Sequence, residues 1–228
     1  MADAPTSIGV DRPEDGIARL TLRRADKRNA LSIALRDQIS DTLDSLSSDD
    51  TLKVVVVTGE GNTFCAGFDL AEFEVAMSDP DYADRLWASS DRYHRAIATF
   101  PLPTVAAVNG PALGGGFDLA LLCDLRIAAD TARFAHPEYV FGDVVYTPLA
   151  DLVGGACARE LCMTGRSLDA EAAHAIHLVT RVVPATELQS AAVELARTIA
   201  LAPRSNLIRT KAKALARGAL PQGGTLDL

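Results

Sequence analysis

Two acids in this chain, Asp118 and Glu138, stand where a carboxylate could handle protons. Asp118 follows three successive glycines in Val108-Asn109-Gly110-Pro111-Ala112-Leu113-Gly114-Gly115-Gly116-Phe117-Asp118. Such a stretch must turn sharply and keep its backbone bare. Residues 117–122 then read as an apolar helix, whose first turn offers free N–H groups and the positive end of the dipole. A bare helix start suits an anion or a developing oxyanion. Glu138 closes the extended segment Phe134-Ala135-His136-Pro137-Glu138, which the proline keeps out of helix. A second bare turn, Cys65-Ala66-Gly67-Phe68, lets backbone come close to something. Two turns that each give an N–H to one oxygen make an oxyanion hole. A carboxylate beside an enolate-forming carbonyl is the usual general acid or base. Arg23, Arg24, Lys27 and Arg28 cluster in one loop, which reads either as a solvated turn or as a lip for phosphates.

The elements that must position these groups follow from periodicity. Residues 7–10 read as an edge strand and residues 17–22, alternating apolar and polar, as a strand. Leu31, Leu35, Ile39, Leu43 and Leu46 recur at helical spacing and predict one amphipathic helix. Lys53-Val54-Val55-Val56-Val57-Thr58 predicts a strand of the fully buried, parallel kind. Strand, helix and strand form a right-handed βαβ unit. Asp69 is placed to cap a short helix, and residues 78–100 predict one long amphipathic helix or two short ones. His94 falls there and reads as a surface or partly packed histidine. Residues 104–108, 123–129 and 179–183 predict further strands. A helix over 149–162 carries a weak point at Gly154-Gly155, and Asp169 caps a helix through Ala175. Thr186-Glu187-Leu188-Gln189 reads as a capping box that starts a helix. A last helix spans 203–217 with Gly218 as its stop, its arginines and lysines on a solvated face, and residues 219–228 read as a loose tail.

Composition bounds the class. The chain has 228 residues, 48% apolar and 23% charged, which fits one α/β unit with a sizeable core. A formal net charge of -8 argues against non-specific nucleic-acid binding, though not against a small anionic ligand. The N-terminal residues lack a basic stretch followed by an apolar core, so no secretory signal is expected, and no apolar run is long enough to span a bilayer. Cys65, Cys123, Cys157 and Cys162 form no C-x-x-C pair and read as reduced, mostly buried thiols of a cytoplasmic protein.

Several segments occur together and in order: Arg28-Asn29-Ala30-Leu31, Val56-Val57-Thr58-Gly59, Phe64-Cys65-Ala66-Gly67-Phe68-Asp69-Leu70, Asn109-Gly110 with Gly114-Gly115-Gly116, Cys123-Asp124, and His136-Pro137-Glu138. Over residues 17–183 this pattern resembles the crotonase, or enoyl-CoA hydratase/isomerase, superfamily. The resemblance implies an α/β, crotonase-like fold of repeated ββα units over 1–183. It implies a C-terminal helical region over 184–228, shorter than usual for the family, and assembly as homotrimers or hexamers. It implies an acyl-CoA thioester as ligand and no cofactor or metal beyond the coenzyme A moiety of the substrate. By motif position, the N–H groups of Phe68 and Gly115 would hold the thioester oxygen. Arg28, Ala30, Ala66, Gly67, Asp69, Leu70 and Gly114 would line the coenzyme A and substrate site. The two glutamates that position water in the hydratases fall on Asp118 and Glu138. The first is therefore shorter by one methylene. Some dienoyl-CoA isomerases of the family also resemble Asp followed by Glu, with a further acid where this chain has Tyr146; Asp143 is out of step. The stretch 142–148 lacks the glycine-rich loop common in hydratases. The expected activity is hydration of trans-2-enoyl-CoA to 3-hydroxyacyl-CoA, a lyase reaction. Double-bond isomerisation and non-catalytic acyl-CoA binding are the alternatives. Phe73, Trp87 and Phe117 are either acyl-pocket walls or plain core.

Overall fold

A computed structural model of the chain describes residues 6–216. In chain order the elements are β1 (Ile8–Glu14), β2 (Ile17–Leu22), α1 (Ile33–Ser47), β3 (Val54–Gly59), α2 (Leu70–Ala76), α3 (Pro80–Ala98), β4 (Thr104–Val108), β5 (Pro111–Leu113) and α4 (Gly115–Leu122). Then follow β6 (Leu125–Ala129), β7 (Arg133–Ala135), α5 (Thr147–Val153), α6 (Gly155–Thr164), β8 (Leu168–Asp169), α7 (Ala170–Ala175), β9 (Arg181–Val183), α8 (Leu188–Ala200) and α9 (Arg204–Leu215). Six strands form one sheet in the order β1-β2-β3-β4-β6-β9, and three form a second, β5-β7-β8.

The valine run of β3 explains the layering. All six residues of β3 are buried, because both faces of the large sheet are covered. Val55 and Val57 join Ala18, Leu20 and Ala106 under α1, α3 and α4. Val54 and Val56 join Ile17, Val105 and Ile127 under Leu188, Ala192 and Ala196 of α8. Burial of such a side chain contributes about 1.5–3 kcal/mol each, so the sheet is held from both sides. β2 and β3 pair in parallel from Ile17↔Val54 to Leu22↔Gly59, which closes the βαβ unit. A strand of the large sheet is followed by one of the small sheet twice, as β4–β5 and β6–β7, the first pair leading straight into α4. These steps carry the chain from the sheet core out to the Gly114–Gly116 turn and to the His136–Glu138 segment.

Several local expectations are corrected. β1 runs to Glu14, well past residue 10, because Asp15-Gly16 forms a hairpin turn onto β2 with Gly16 at φ 75°. The long segment after Ser78 is one helix, α3, capped by Asp79. α4 begins at Gly115, inside the glycines. The helix expected over 149–162 is two, α5 and α6, broken at Gly154. No side chain caps α8: Gln189, expected in a capping box, spends its amide on Thr58 Oγ1 at 3.1 Å and on Arg19 at 3.2 Å, tying α8 to the sheet. Nor is the basic face of α9 wholly solvated. Lys211 is buried, donating to Leu102 O at 2.9 Å and to Asp124 at 2.7 Å. Arg217, the Gly218 stop and the tail 219–228 lie outside the described residues. All four cysteines are free thiols, and Cys157 alone of them is not buried. No helix among the described residues is long and apolar enough to cross a membrane.

Candidate active site

The turn at residues 65–68 is zipped between two partners. Cys65 bridges Ala112 of β5, and Phe68 bridges Leu31, both in parallel. The Leu31 bridge runs through Leu31 N–H to Gly67 O at 2.8 Å and Asp69 N–H to Leu31 O at 3.3 Å. That pattern leaves the Phe68 N–H off the ladder. Gly67 sits at φ 88°, and a Cβ there would stand 2.7 Å from Leu113 O and 3.3 Å from Gly115 N. A glycine is therefore required, and its absence of side chain brings the turn against the start of α4. Gly115 opens α4, so its N–H has no helical carbonyl to reach. The ring of Phe68 lies over Gly115, 2.7 Å from where a Cβ would stand. The two predicted oxyanion donors thus come from adjoining backbone turns.

Asp118 lies in the first turn of α4, with its N–H bonded to Gly114 O at 3.0 Å. Its side chain is buried and accepts from His136 Nε2 at 2.8 Å through Oδ1. Oδ2 takes no hydrogen bond among the described residues. Glu138, in the short 3-10 turn after β7, is half-buried. Its carboxylate oxygens lie 3.0 and 3.1 Å from where a Cβ on Gly114 would stand, one residue from the Gly115 N–H. A ligating atom of each of Asp118, His136 and Glu138 lies within 4.8 Å of the others. A cation could bridge atoms so spaced, but here Asp118 and His136 are turned on each other as a hydrogen-bonded pair.

Electrostatics separates the three groups. Burial opposes a charged ring on His136, yet the charge and hydrogen bond of Asp118, with Cys162 and Glu138 behind them, override it, so its pKa is pushed up to about 10. Phe117 stacks on the ring with centroids 4.7 Å apart. Burial pushes the Glu138 carboxyl above its usual range; its own backbone N–H and the His136 charge hold it back, while Asp118 adds to the rise. The site thus holds one carboxylate hydrogen-bonded to a histidine and one whose burial favours holding a proton.

The other expected residues are placed as follows. Arg28 is exposed in a left-handed conformation at φ 51°, and its carbonyl takes the Ala66 N–H at 3.0 Å. Ala66 therefore has no N–H to give a ligand. Ala30 O accepts from Arg24, whose guanidinium also reaches Asp69 at 3.0 Å. Arg24 is thus withdrawn from the phosphate lip, which leaves Arg23, Lys27 and Arg28 exposed on it. The Asp69 side chain caps α2 through Ala71 N–H at 3.3 Å, and Leu70 is exposed. Gly114 N–H is spent on Ala135 O at 2.9 Å. Tyr146 turns its hydroxyl to Gly155 O at 3.5 Å and Asp143 is exposed, so neither supplies a third acid. His94 is buried, not superficial, with Nδ1 2.9 Å from Ser90 O and its ring 6.3 Å from that of Phe68. Phe117 is core, while Phe73 and Trp87 continue an aromatic row from Phe68 at 5.9 and 6.1 Å. Sequence reasoning quoted His136 in a motif without giving it a role, and passed over Arg36. The place of His136, two residues before Glu138, was the signal available for the first. An arginine on the apolar stripe of α1 was the signal for the second.

The sequence pattern of the family described as Enoyl-CoA hydratase/isomerase matches residues 12–224. A Mycobacterium tuberculosis protein named "Probable enoyl-CoA hydratase echA8" is 37% identical over 197 residues, covering 85% of this chain and 75% of that one. A hydroxycinnamoyl-CoA hydratase-lyase of Pseudomonas fluorescens is 35% identical over 193 residues, 82% of this chain and 70% of that one. The crystal structure of an enoyl-CoA hydratase from Bacillus anthracis superposes with a TM-score of 0.87 at 32% identity, covering 95% of this chain and 85% of that one.

Proposed function

The chain belongs to the enoyl-CoA hydratase/isomerase family, and we propose that it hydrates trans-2-enoyl-CoA to 3-hydroxyacyl-CoA. The observation that carries this reading is the convergence of the Asp118 and Glu138 carboxylates, with His136, inside 4.8 Å beside the Gly114–Gly115 backbone. The thioester oxygen sits between the Phe68 and Gly115 N–H groups, which take up negative charge as it develops. Glu138 removes a proton from water as the water oxygen bonds to C3. The C2–C3 electrons move toward the thioester as an enolate. The proton returns to C2, so one water is added and Glu138 is restored. Asp118, with Oδ1 on His136, offers Oδ2 to the same water. Coenzyme A belongs to the substrate, and the mechanism calls for no further cofactor. The exposed Lys27 and Arg28 are the cations available to meet its phosphates, while the Arg23 guanidinium lies over Gly9. Assembly as a homotrimer or hexamer and a cytoplasmic location belong to the same reading.

A second reading is double-bond isomerisation. It is favoured by the Asp118–His136 pair, which leaves Glu138 as the freer proton carrier. The test is the enone absorbance of crotonyl-CoA. A protein-dependent loss that disappears in Glu138→Gln supports hydration. No loss, with conversion of 3-enoyl-CoA, supports isomerisation. Binding of the thioester by calorimetry with turnover of neither supports a binding protein.

A further inference from the structure

We propose that Arg36 is a positioning residue for the Phe68 side of the oxyanion hole, an inference that rests on the thioester reading above. Arg36 belongs to α1, is fully buried, and touches neither carboxylate of the site. A guanidinium so placed is costly unless it is hydrogen-bonded and its charge is met. Nη1 donates to Leu31 O at 2.9 Å, Nη2 to Leu86 O at 3.2 Å, and Nε to Ser89 Oγ at 3.3 Å. Its charge is met by Glu72 at 3.8 Å. Its planar face lies 4.6 Å from the centre of the Phe68 ring.

Two of these contacts fall on one structural unit. Leu31 and Phe68 are bridge partners, and the Phe68 N–H is the donor left off their ladder. Arg36 therefore grips the bridge from its carbonyl side and presses the Phe68 ring onto Gly115. Glu72 extends the grip, since its carboxylate also takes the Ile33 N–H at 2.9 Å at the start of α1. On the other flank Arg24 holds Asp69. The turn that presents the N–H is clamped between two arginines, and Arg36 is the one inside. The other buried arginine and lysine do different work. Arg126 takes the carbonyls of Cys123 and Leu178, and Lys211 that of Leu102, all away from the bare turns. Arg36 alone of these three touches an expected oxyanion residue. Hydrogen-bond donation to a carbonyl depends steeply on placement, so loosening this turn weakens polarisation of the thioester before it weakens binding of the carrier.

The experiment is a difference spectrum of 2,4-hexadienoyl-CoA, whose absorption moves to the red when its thioester carbonyl is polarised. It is run on the full chain and on Arg36→Met and Arg36→Lys, with free coenzyme A binding and far-ultraviolet circular dichroism alongside. The wild type shows the red shift. Arg36→Met loses most of it and drops kcat by about a hundredfold, with the Kd of free coenzyme A unchanged; Arg36→Lys falls between. A purely structural role lowers Tm and leaves the band of bound ligand where it was, and that result overturns the proposal. Should Arg36→Met not fold, Phe68→Leu removes the stacked ring, keeps the N–H, and must also reduce the shift. A wild type that gives no shift removes the thioester reading itself. A wild type and variants that shift alike remove only the role of Arg36.

Discussion

His136 Nε2 stands 2.8 Å from Asp118 Oδ1, and both side chains are buried. Glu138 lies close enough to feel both charges. Two carboxylates so near one another repel, and the imidazolium beside them relieves that repulsion. It also pins the shorter acid in place. Asp118 is reached from α4, His136 and Glu138 from the segment after β7, so the pair also joins two pieces of chain distant in sequence.

That pairing fixes a dependence of stability on pH. The folded pKa of His136 is raised from 6.5 to about 10, so its contribution is full below the unfolded value and fades as pH climbs through the folded one. Tm is expected to fall across the window from 6.5 to about 10, and to fall less in His136→Gln, which cannot titrate there. Thermal melts at stepped pH check this. Parallel curves for the two proteins would falsify it.

With Glu138 as the proposed base, the rate is expected to depend on pH through its carboxylate. A base acts when ionised, and burial raises the Glu138 pKa, so the acidic limb of kcat is expected above the ordinary value of 4.5. Glu138→Gln is expected to lower kcat by about 10²–10⁴-fold while leaving thioester binding in place. A full kcat profile settles it; a limb at the ordinary carboxylate value, or an active Gln variant, removes Glu138 as the base.

Asp118→Asn separates the two reactions. The amide keeps the shape but breaks the ion pair with His136. Hydration is expected to fall by about a hundredfold, because the water loses an anchor, whereas proton transfer by Glu138 alone survives. Parallel assays on crotonyl-CoA and a 3-enoyl-CoA read this directly. Equal losses on both substrates contradict separate roles. Asp118→Ala goes further and costs about 3 kcal/mol of stability, since it leaves His136 buried without its ion-pair partner.

Gly116→Ala attacks the join between the two turns. Its Cβ would stand 2.2 Å from Cys65 O, a backbone atom with no room to yield. Overpacking of this kind costs about 1–3 kcal/mol, and the two N–H donors are expected to separate, with a fall in kcat. Gly142→Ala, with 4.0 Å to its nearest neighbour, is the stability control. Denaturant melts compare them; equal midpoints would mean that the turns tolerate the methyl.

Chelation tests the three-group cluster. Because Asp118 and His136 bind each other, activity is expected to be unchanged after dialysis against EDTA. Loss on chelation, restored by a divalent cation, would make the cluster a metal centre.

Periodicity and turn chemistry alone determined much of this protein. The stripe from Leu31 to Leu46, the four valines of β3 and the glycines before Asp118 each specify a local shape, because side-chain spacing and the lack of a Cβ act within a few residues. The order of motifs added the family and placed Asp118 and Glu138 in one site. Tertiary structure decided the rest. Whether Asp118 is a free acid depends on His136 reaching it from another element. Arg36 has no role that α1 alone reveals until α3 and the Phe68 turn close around it. Gln189 fits a capping box until Thr58 and Arg19 claim its amide. Lys211 fits a solvated face until Asp124 arrives beneath it. Apart from Leu31, five residues from Arg36, the deciding partners lie more than fifteen residues away. A polar side chain's role is set by whichever partner the fold delivers to it, and local spacing carries no record of that partner.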